Sequence, residues 1–319
     1  MIPGVAHRAA ALVAAALLVG CAAEPGGVGE PEPAAARPST TADATGPGPS
    51  GTTSSTAAAA VPAPDERPVA AGDPGGLADQ LLAAGDVIAD ADSTPEELAA
   101  AGHLQQVAVA ALAARPDWDA PVAAALPEPL RNAAVADVGA ARELAALTRT
   151  PRSTLPAWRI QAPPPPDVLR RHYAEGEAAT GVPWTLLAAV HLVETRMSRI
   201  QGDSSAGAQG PMQFLPSTWA IYGAGGDIRD DRDAILAAAR FLAASGARED
   251  HYRAALRYNP TPRYARAVVA YAARMAADER AFLGYHGWEV HYRTTLGDVW
   301  LRPGYAAQEV RPVTPEDIG

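Results

Sequence analysis

A long stretch without large apolar residues divides this chain and limits where it can fold. Residues 22–75 contain no Leu, Ile, Met or aromatic residue, and only three valines. Such a segment cannot bury enough apolar surface to offset the entropy lost when a chain is ordered. We therefore predict that residues 21–75 form a disordered tether rich in Ala, Pro, Gly, Ser and Thr, and that the folded part begins near residue 76.

The N-terminus has the pattern of an export signal. His7 and Arg8 precede an uncharged run over residues 9–20, which is too short to cross a bilayer but suits a signal-peptide core. The run ends in Leu-Val-Gly-Cys21, which resembles a bacterial lipobox. Cleavage before Cys21 leaves a thiol that can carry a diacylglycerol, and two acyl chains hold a protein stably on a membrane. We expect a signal peptide over residues 1–20 and a lipoprotein on the outer face of the cytoplasmic membrane; an ordinary signal peptide with an incidental cysteine is the alternative.

Composition excludes one class of partner. The 319 residues suffice for one or two domains. The net charge is -10 and the chain has no lysine, whereas a nucleic-acid-binding protein shows a basic stripe. Cys21 is the only cysteine, so no internal disulfide can form. We therefore expect no nucleic-acid partner, and the sequence indicates no particular protein partner.

Helical periodicity begins after the tether and predicts a small helical module over residues 76–155. An amphipathic segment starts at Leu77. A second helix starts with Thr94 as its cap and Pro95 as its first residue, two residue types favoured at those positions. A further helix lies around Val138. We expect this accessory module to pack on the rest of the chain.

Residues 156–319 are predicted to form a second, mostly helical domain with a small sheet. The four prolines at 163–166 indicate a stiff spacer before its first helix. Alternating apolar residues over 288–292 predict a β-hairpin that residues 299–301 complete. The helices expected from periodicity and cap residues are 167–179, 183–199, 216–222, 231–245, 249–258 and 262–279.

Glu194 is the strongest catalytic candidate. It lies near the end of the apolar helix that opens at Pro183. Leu187, Val190 and His191 precede it by seven, four and three residues, so they share its face of the helix. A carboxyl group on such a face is partly stripped of water, which raises its pKa. A raised pKa suits a general acid that works near neutral pH.

Three blocks of sequence follow one another in an order typical of one enzyme family. Glu194 is followed by Ser-Ser-Ala-Gly-Ala-Gln-Gly-Pro-Met-Gln over residues 204–213, and later by Tyr258-Asn259. These blocks resemble the soluble lytic transglycosylases, which cleave peptidoglycan and have a lysozyme-like fold of the α+β type. The continuation to Phe-Leu-Pro-Ser-Thr-Trp219 is similar to the membrane-bound branch of that family. The resemblance covers roughly residues 156–300, about half the chain.

The resemblance implies a role for each matched residue. Glu194 would be the catalytic acid, and Thr195 keeps the hydroxyl of the serine that the family often has there. Ser204 would hydrogen-bond near the sugar and the acid. Gln213 would offer its amide to an N-acetyl or hydroxyl group of the substrate.

Three later residues complete the set of implied site residues. Tyr258 would hydrogen-bond the acid or the bound sugar, and Asn259 would hold the loop. Tyr264 would line the cleft, with a place in the core of its helix as the alternative. Met212 and Phe214 are expected to pack beneath the turn.

The resemblance also implies a reaction with one protein carboxyl group and no cofactor. Glu194 would protonate the glycosidic oxygen, and the 2-acetamido group of N-acetylmuramic acid would stabilise the cationic centre. The 6-hydroxyl of the same sugar would then attack C1, giving a 1,6-anhydro product without water. The expected partner is the peptidoglycan glycan strand.

Other interpretations stay open at this point. Asp203 and Asp227 are possible second carboxylates, although both lie in glycine-flanked loops. His191 and Glu194 have part of a zinc-site spacing, but no second His follows within two turns, so we expect no metal. A lysozyme-type muramidase that uses water is a second function, and a non-catalytic wall-binding lipoprotein is a third. Wall binding is also the alternative role for the module over residues 76–155.

Overall fold

The computed structural model describes residues 60–148 and 150–318. This part of the chain is mostly helical with three small antiparallel sheets, which confirms the predicted mostly helical class. The predicted signal peptide, Cys21 and most of the predicted tether lie outside the described residues. Within the described ranges, none of the helices is both long and apolar enough to cross a bilayer.

Four helices form the N-terminal part. They are α1 (Pro74–Ala89), α2 (Pro95–Ala113), α3 (Asp119–Ala125) and α4 (Glu128–Ala145). The predicted start of α2 is confirmed, because Thr94 and Glu97 cap it reciprocally. The Glu97 N–H donates to the Thr94 hydroxyl at 3.2 Å, and the Thr94 N–H donates to the Glu97 carboxylate at 2.8 Å.

The predicted boundary of the tether at residue 75 is wrong. Pro68 is buried, and the guanidinium of Arg67 donates to the backbone carbonyl oxygens of Ile318 (2.9 Å) and Asp298 (2.7 Å). These hydrogen bonds fix a segment that has almost no large apolar side chains. Helix α1 accordingly begins at Pro74, two residues before the predicted start.

Seven further helices follow. They are α5 (Pro166–Thr180), α6 (Trp184–Thr195), α7 (Pro216–Tyr222), α8 (Asp231–Ala244), α9 (His251–Tyr258), α10 (Pro262–Ala277) and α11 (Arg280–His286). Helix α6 ends four residues before its predicted end at 199, because Arg196, Met197 and Ser198 have φ angles of 55°, 55° and 71°. Helix α11 is not predicted, since its seven residues show no clear periodicity and, unlike α7, it has no proline in its first turn. The prolines predicted as a spacer lie against α11, where the His286 Nε2 atom is 2.9 Å from the Pro164 carbonyl oxygen.

Six short strands form the three sheets. They are β1 (Thr154–Leu155), β2 (Arg159–Ile160), β3 (Ile200–Gln201), β4 (Val290–Thr294), β5 (Gly297–Leu301) and β6 (Arg311–Pro312). The pair β4–β5 is the predicted hairpin. The pairs β1–β6 and β2–β3 are not predicted, because two-residue strands are too short to show alternation. Strand β1, which ends just before the predicted domain boundary at residue 156, pairs with β6 near the C-terminal end of the described residues.

The N-terminal helices share a core with the later ones. Helix α4 packs against α10, and α2 packs against α11. Ala140 and Leu144 of α4 belong to the same buried cluster as the side chains of α6 and α10. The Tyr285 hydroxyl of α11 donates to the Asp137 carboxyl of α4, and burial raises the pKa of Asp137 to about 6. The N-terminal helices therefore help to hold α10 and α11 in place.

The contact between α2 and α11 gives a first prediction. A Cβ atom at Gly102 would overlap the carbonyl oxygen of Gly284 and lie 2.8 Å from the Cα atom of Gly287. We expect Gly102→Ala to lower the free energy of unfolding by about 1–3 kcal/mol, because two backbones must move apart. Urea unfolding followed by circular dichroism measures this change.

Gly139→Ala in α4 is the matched control for that measurement. Apart from its chain neighbours and the backbone of its own helix, no atom of the described residues lies within 4 Å of a Cβ built at Gly139. This variant should gain about 0.5–1 kcal/mol from the better helix propensity of alanine. Equal effects of the two substitutions would show that close packing of α2 on α11 does not limit stability.

Candidate active site

Glu194 lies in the last turn of α6, a helix whose twelve residues are all buried. The residue keeps 2% of its surface exposed. The hydroxyl of Tyr264, on α10, donates to Oε1 of Glu194 at 2.7 Å. In the described part of the chain, no other side chain hydrogen-bonds this carboxyl group. The crossing of α6 and α10 thus places one carboxyl group in a dry environment with one polar neighbour.

The environment holds this carboxyl group in its protonated form. Burial raises the pKa of Glu194 to about 8, and the Tyr264 hydrogen bond opposes this with a smaller effect. Burial also raises the pKa of Tyr264 well above its usual value, so its hydroxyl remains a donor. The pair therefore presents a neutral, oriented acid at neutral pH, which is the state required for general acid catalysis.

The predicted turn after Glu194 is a loop that hydrogen-bonds to itself. The Ser204 hydroxyl accepts from the backbone N–H groups of Ala206 (3.3 Å) and Ala208 (2.9 Å). Gly210 has a φ of 72°, and a Cβ there would overlap the carbonyl oxygen of Ile228, so only glycine fits. Ser204 thus shapes the loop, and its predicted hydrogen bond near the acid is not formed within the described structure.

Gln213 closes the same loop. Its Nε2 atom donates to the carbonyl oxygens of Gly210 (2.9 Å) and Gly202 (3.3 Å). The residue has a φ of 49° and is 2% exposed, and its Oε1 atom is buried without a partner among the described residues. An unpaired buried acceptor costs free energy unless a donor reaches it. The loop therefore holds Gln213 rigidly with one acceptor unused.

Two hydroxyl groups join this loop to neighbouring helices. The Thr195 hydroxyl, directly after Glu194, donates to the Pro211 carbonyl oxygen at 2.7 Å. The Tyr258 hydroxyl donates to the Met212 carbonyl oxygen at 2.6 Å. The resemblance implies that Tyr258 hydrogen-bonds the acid or the bound sugar, but here its hydroxyl donates to the loop. The tyrosine that contacts Glu194 is Tyr264, which the sequence predicts only as a cleft or core residue.

The remaining predicted residues are buried around the loop. Asn259 is 0% exposed, and neither polar atom of its side chain has a partner within the described ranges. Its backbone N–H donates to the carbonyl oxygen of Ala255 (2.9 Å), and its carbonyl oxygen accepts from the backbone N–H of Thr261 (2.7 Å). Its backbone therefore holds the segment between α9 and α10. Met212 and Phe214 pack beneath the turn as predicted, with 0% and 3% exposed.

The rival carboxylates and the suggested metal ligand have other partners. Asp203 and Asp227 are exposed, and both bind Arg229. The guanidinium of Arg229 donates to the Asp203 carboxylate at 2.9 Å, and its backbone N–H donates to the Asp227 carboxylate at 2.9 Å. Both ring nitrogens of His191 are hydrogen-bonded, one to Tyr173 and one to Ser198. His191 therefore has no free nitrogen for a metal ion.

Two aromatic residues near the acid's helix are not predicted from the sequence. Trp158 and Tyr292 line a cavity together with Val193 and Arg196 of the α6 end. Trp158 also packs against Gly202, where a Cβ would overlap its indole ring. Trp158 lies just before the two-residue strand β2, so no periodic pattern marks it.

No family model, curated protein or solved structure matches the chain. The family resemblance therefore rests on the three sequence blocks. The arrangement around Glu194 is an independent observation, because it follows from the packing of α6, α10 and the loop.

The raised pKa of Glu194 predicts a pH-dependent cost to stability. Between its ordinary pKa of 4.5 and about 8, the folded state holds a proton that the unfolded state has lost, so stability falls as pH rises through this window. We expect Glu194→Gln to be more stable than the unmutated protein at pH 8, on the order of 2–4 kcal/mol. At pH 4 the gain should vanish, because both states are then protonated.

Urea unfolding at pH 4 and pH 8 measures this difference. Glu309→Gln, which replaces an exposed glutamate, is the matched control, and a surface substitution of this kind should change stability by less than about 0.5 kcal/mol. A Glu194→Gln protein equally stable to the parent at both pH values would mean that the carboxyl group is hydrated in solution.

Proposed function

We propose that this protein is a peptidoglycan lytic transglycosylase, which cleaves the β-1,4 bond between N-acetylmuramic acid and N-acetylglucosamine without water. The observation that carries the proposal is the buried carboxyl group of Glu194, oriented by Tyr264 and protonated at neutral pH. The sequence blocks at Glu194, residues 204–213 and Tyr258-Asn259 support it. A lysozyme-like fold, in which a helical body carries the acid beside a small sheet, belongs to the same proposal.

Glu194 acts first as an acid. Its proton passes to the glycosidic oxygen, the bond from that oxygen to C1 of N-acetylmuramic acid breaks, and the N-acetylglucosamine end leaves as an alcohol. The carbonyl oxygen of the 2-acetamido group stabilises the positive charge at C1. The Tyr264 hydroxyl, already 2.7 Å from Oε1, stabilises the new carboxylate through a charge-assisted hydrogen bond.

Glu194 acts next as a base. Its carboxylate takes the proton of the 6-hydroxyl while that oxygen bonds to C1, which gives a 1,6-anhydro sugar. The acid is restored and no water is consumed. A pKa of about 8 suits both steps, because the group can lose and regain a proton near neutral pH.

The positions of the other candidate carboxylates favour this reaction over two-carboxylate hydrolysis. Hydrolysis of the usual kind needs a second Asp or Glu beside the scissile bond. Asp203 and Asp227 are exposed and bind Arg229. A reaction in which the sugar supplies its own nucleophile needs only the acid that the site holds.

Location at the membrane surface is the second part of the proposal. The sequence before Cys21 has the lipobox pattern, and residues 22–59 have the composition of a tether. A lipid-anchored enzyme on such a tether would stand off the outer face of the cytoplasmic membrane, where the glycan strands of the wall are within reach.

The reaction predicts both the effect of an isosteric substitution and the product. Glu194→Gln should keep the fold and lose all measurable cleavage of purified peptidoglycan, because an amide cannot protonate the leaving oxygen. Mass spectrometry of the digest should show 1,6-anhydro ends with the unmutated protein. Asp203→Asn is the matched control and should retain activity, since Asp203 faces Arg229.

Three outcomes would contradict the proposal in different ways. Substantial activity of Glu194→Gln would remove this residue from the reaction. Free reducing ends in place of anhydro ends would indicate a muramidase that uses water. Tight binding of peptidoglycan with no turnover would indicate a wall-binding protein.

The proposed anchor predicts a change of location on removal of one thiol. Cys21→Ala should no longer be labelled by a radioactive fatty acid and should leave the membrane fraction, because no acyl chain can attach. Fractionation of expressing cells with detection by antibody measures both proteins. If the variant stayed in the membrane with its lipid label, Cys21 would not be the site of attachment.

A further inference from the structure

The chain turns through an unusual backbone conformation directly after the proposed acid. Arg196, Met197 and Ser198 have φ angles of 55°, 55° and 71°, and none is glycine. Left-handed conformations strain residues that carry a Cβ atom, and three in succession persist only when the surroundings impose them. The N–H groups of Arg196 and Met197 donate to the carbonyl oxygens of Leu192 and His191, so this left-handed turn (residues 196–198) ends α6.

A chain of hydrogen-bonded side chains (Tyr173, His191, Ser198 and Asp231) holds this turn against three helices. The Tyr173 hydroxyl of α5 is 2.8 Å from Nδ1 of His191 in α6. Nε2 of His191 is 2.7 Å from the Ser198 hydroxyl, and that hydroxyl bonds the carboxylate of Asp231, the first residue of α8. Tyr173, His191 and Ser198 are 0% exposed.

Each donor in this chain of hydrogen-bonded side chains points towards Asp231. The Ser198 hydroxyl donates to the carboxyl group of Asp231, the first residue of α8. Burial raises the pKa of Asp231, whereas this hydrogen bond and the N-terminal end of α8 favour its carboxylate form. His191 Nε2–H then donates to Ser198, and His191 Nδ1 accepts from the Tyr173 hydroxyl. Burial lowers the pKa of His191 to about 3, so the ring is neutral, and this tautomer pairs both of its nitrogens.

We propose that Tyr173, His191, Ser198 and Asp231 are positioning residues for the catalytic acid, because they impose the left-handed turn that fixes the last turn of α6 and Glu194 with it. The inference rests on the proposed function and adds residues that touch no substrate. Thr195, between Glu194 and the turn, strengthens the coupling, since its hydroxyl accepts from the Ser198 N–H at 3.1 Å and donates to the Pro211 carbonyl oxygen. The left-handed turn, the acid and the loop over residues 204–213 are therefore linked through the consecutive residues 194–198.

Two substitutions of Ser198 separate its effect on the position of Glu194 from its effect on stability. Ser198→Ala removes the hydroxyl and leaves the strain, so it should lower both the unfolding temperature and kcat. Ser198→Gly removes the hydroxyl but suits a φ of 71°, so it should recover part of the unfolding temperature and none of the lost kcat. We expect kcat to fall about 10- to 100-fold in both variants, as for a misplacement of the acid by about 1 Å, with KM changed less than about twofold.

The titration of Glu194 gives a readout independent of turnover. Activity of the unmutated protein should fall as pH rises through about 8, where the acid loses its proton. A displaced carboxyl group gains water, so in both Ser198 variants this alkaline limb should move to lower pH by roughly one unit. Carbon-13 NMR of labelled glutamate carboxyl groups, assigned with Glu194→Gln, should show the same shift without substrate.

Two controls complete the test. Ala224→Gly relieves a left-handed residue (φ 53°) in an exposed loop and should change neither kcat nor the Glu194 titration. Tyr173→Phe removes the hydroxyl at the far end of these hydrogen-bonded side chains and should shift the alkaline limb in the same direction by a smaller amount. An unchanged alkaline limb and an unchanged NMR titration in Ser198→Gly would overturn the positioning role. If the unmutated protein had no transglycosylase activity, the proposed function would fail, and the NMR titration would still decide this inference.

Discussion

Removal of one carboxyl group from water is the constraint on which the site depends. A charged carboxylate in an apolar interior is so costly that the group becomes neutral instead. Glu194 meets that condition because α6 is buried on all sides, and its only hydrogen-bonding side chain in the described structure is Tyr264. The surrounding helices therefore do more than support the site. By excluding water, they set the protonation state on which the proposed reaction depends.

This dependence explains why the N-terminal helices belong to the same body. Tyr264 reaches Glu194 from α10, and α10 is held on its other side by α4. Glu143 of α4 also binds Arg263 and Arg266, which flank Tyr264 on either side in the sequence. A helical module added only for wall binding would not need such contacts. The packing favours a structural role for α1 to α4, because loss of α4 would remove a support of α10, the helix whose Tyr264 hydrogen-bonds the acid.

The sequence predicts the local features of this protein and misses the contacts between distant residues. The spacing of Leu187, Val190 and His191 is enough to predict a buried face at Glu194, because helical periodicity is local. The Tyr264 contact depends on how α6 and α10 cross, which no spacing records over 70 residues. The left-handed turn is missed because Arg-Met-Ser carries no glycine to mark it. Likewise, α2 has small residues on several sides, so its sequence does not show which face meets α11.

The position of Glu194 at the end of its helix adds to the effect of burial. The C-terminal end of a helix carries partial negative charge from carbonyl groups that have no partner within the helix. A carboxylate in the last turn is disfavoured by that charge as well as by the absence of water. Both influences make the protonated form the resting state and make the carboxylate a stronger base once its proton has left. An acid that must recover its proton from a sugar hydroxyl within the same turnover gains from this pairing, since the environment that raises the pKa of the acid also makes its carboxylate a stronger base.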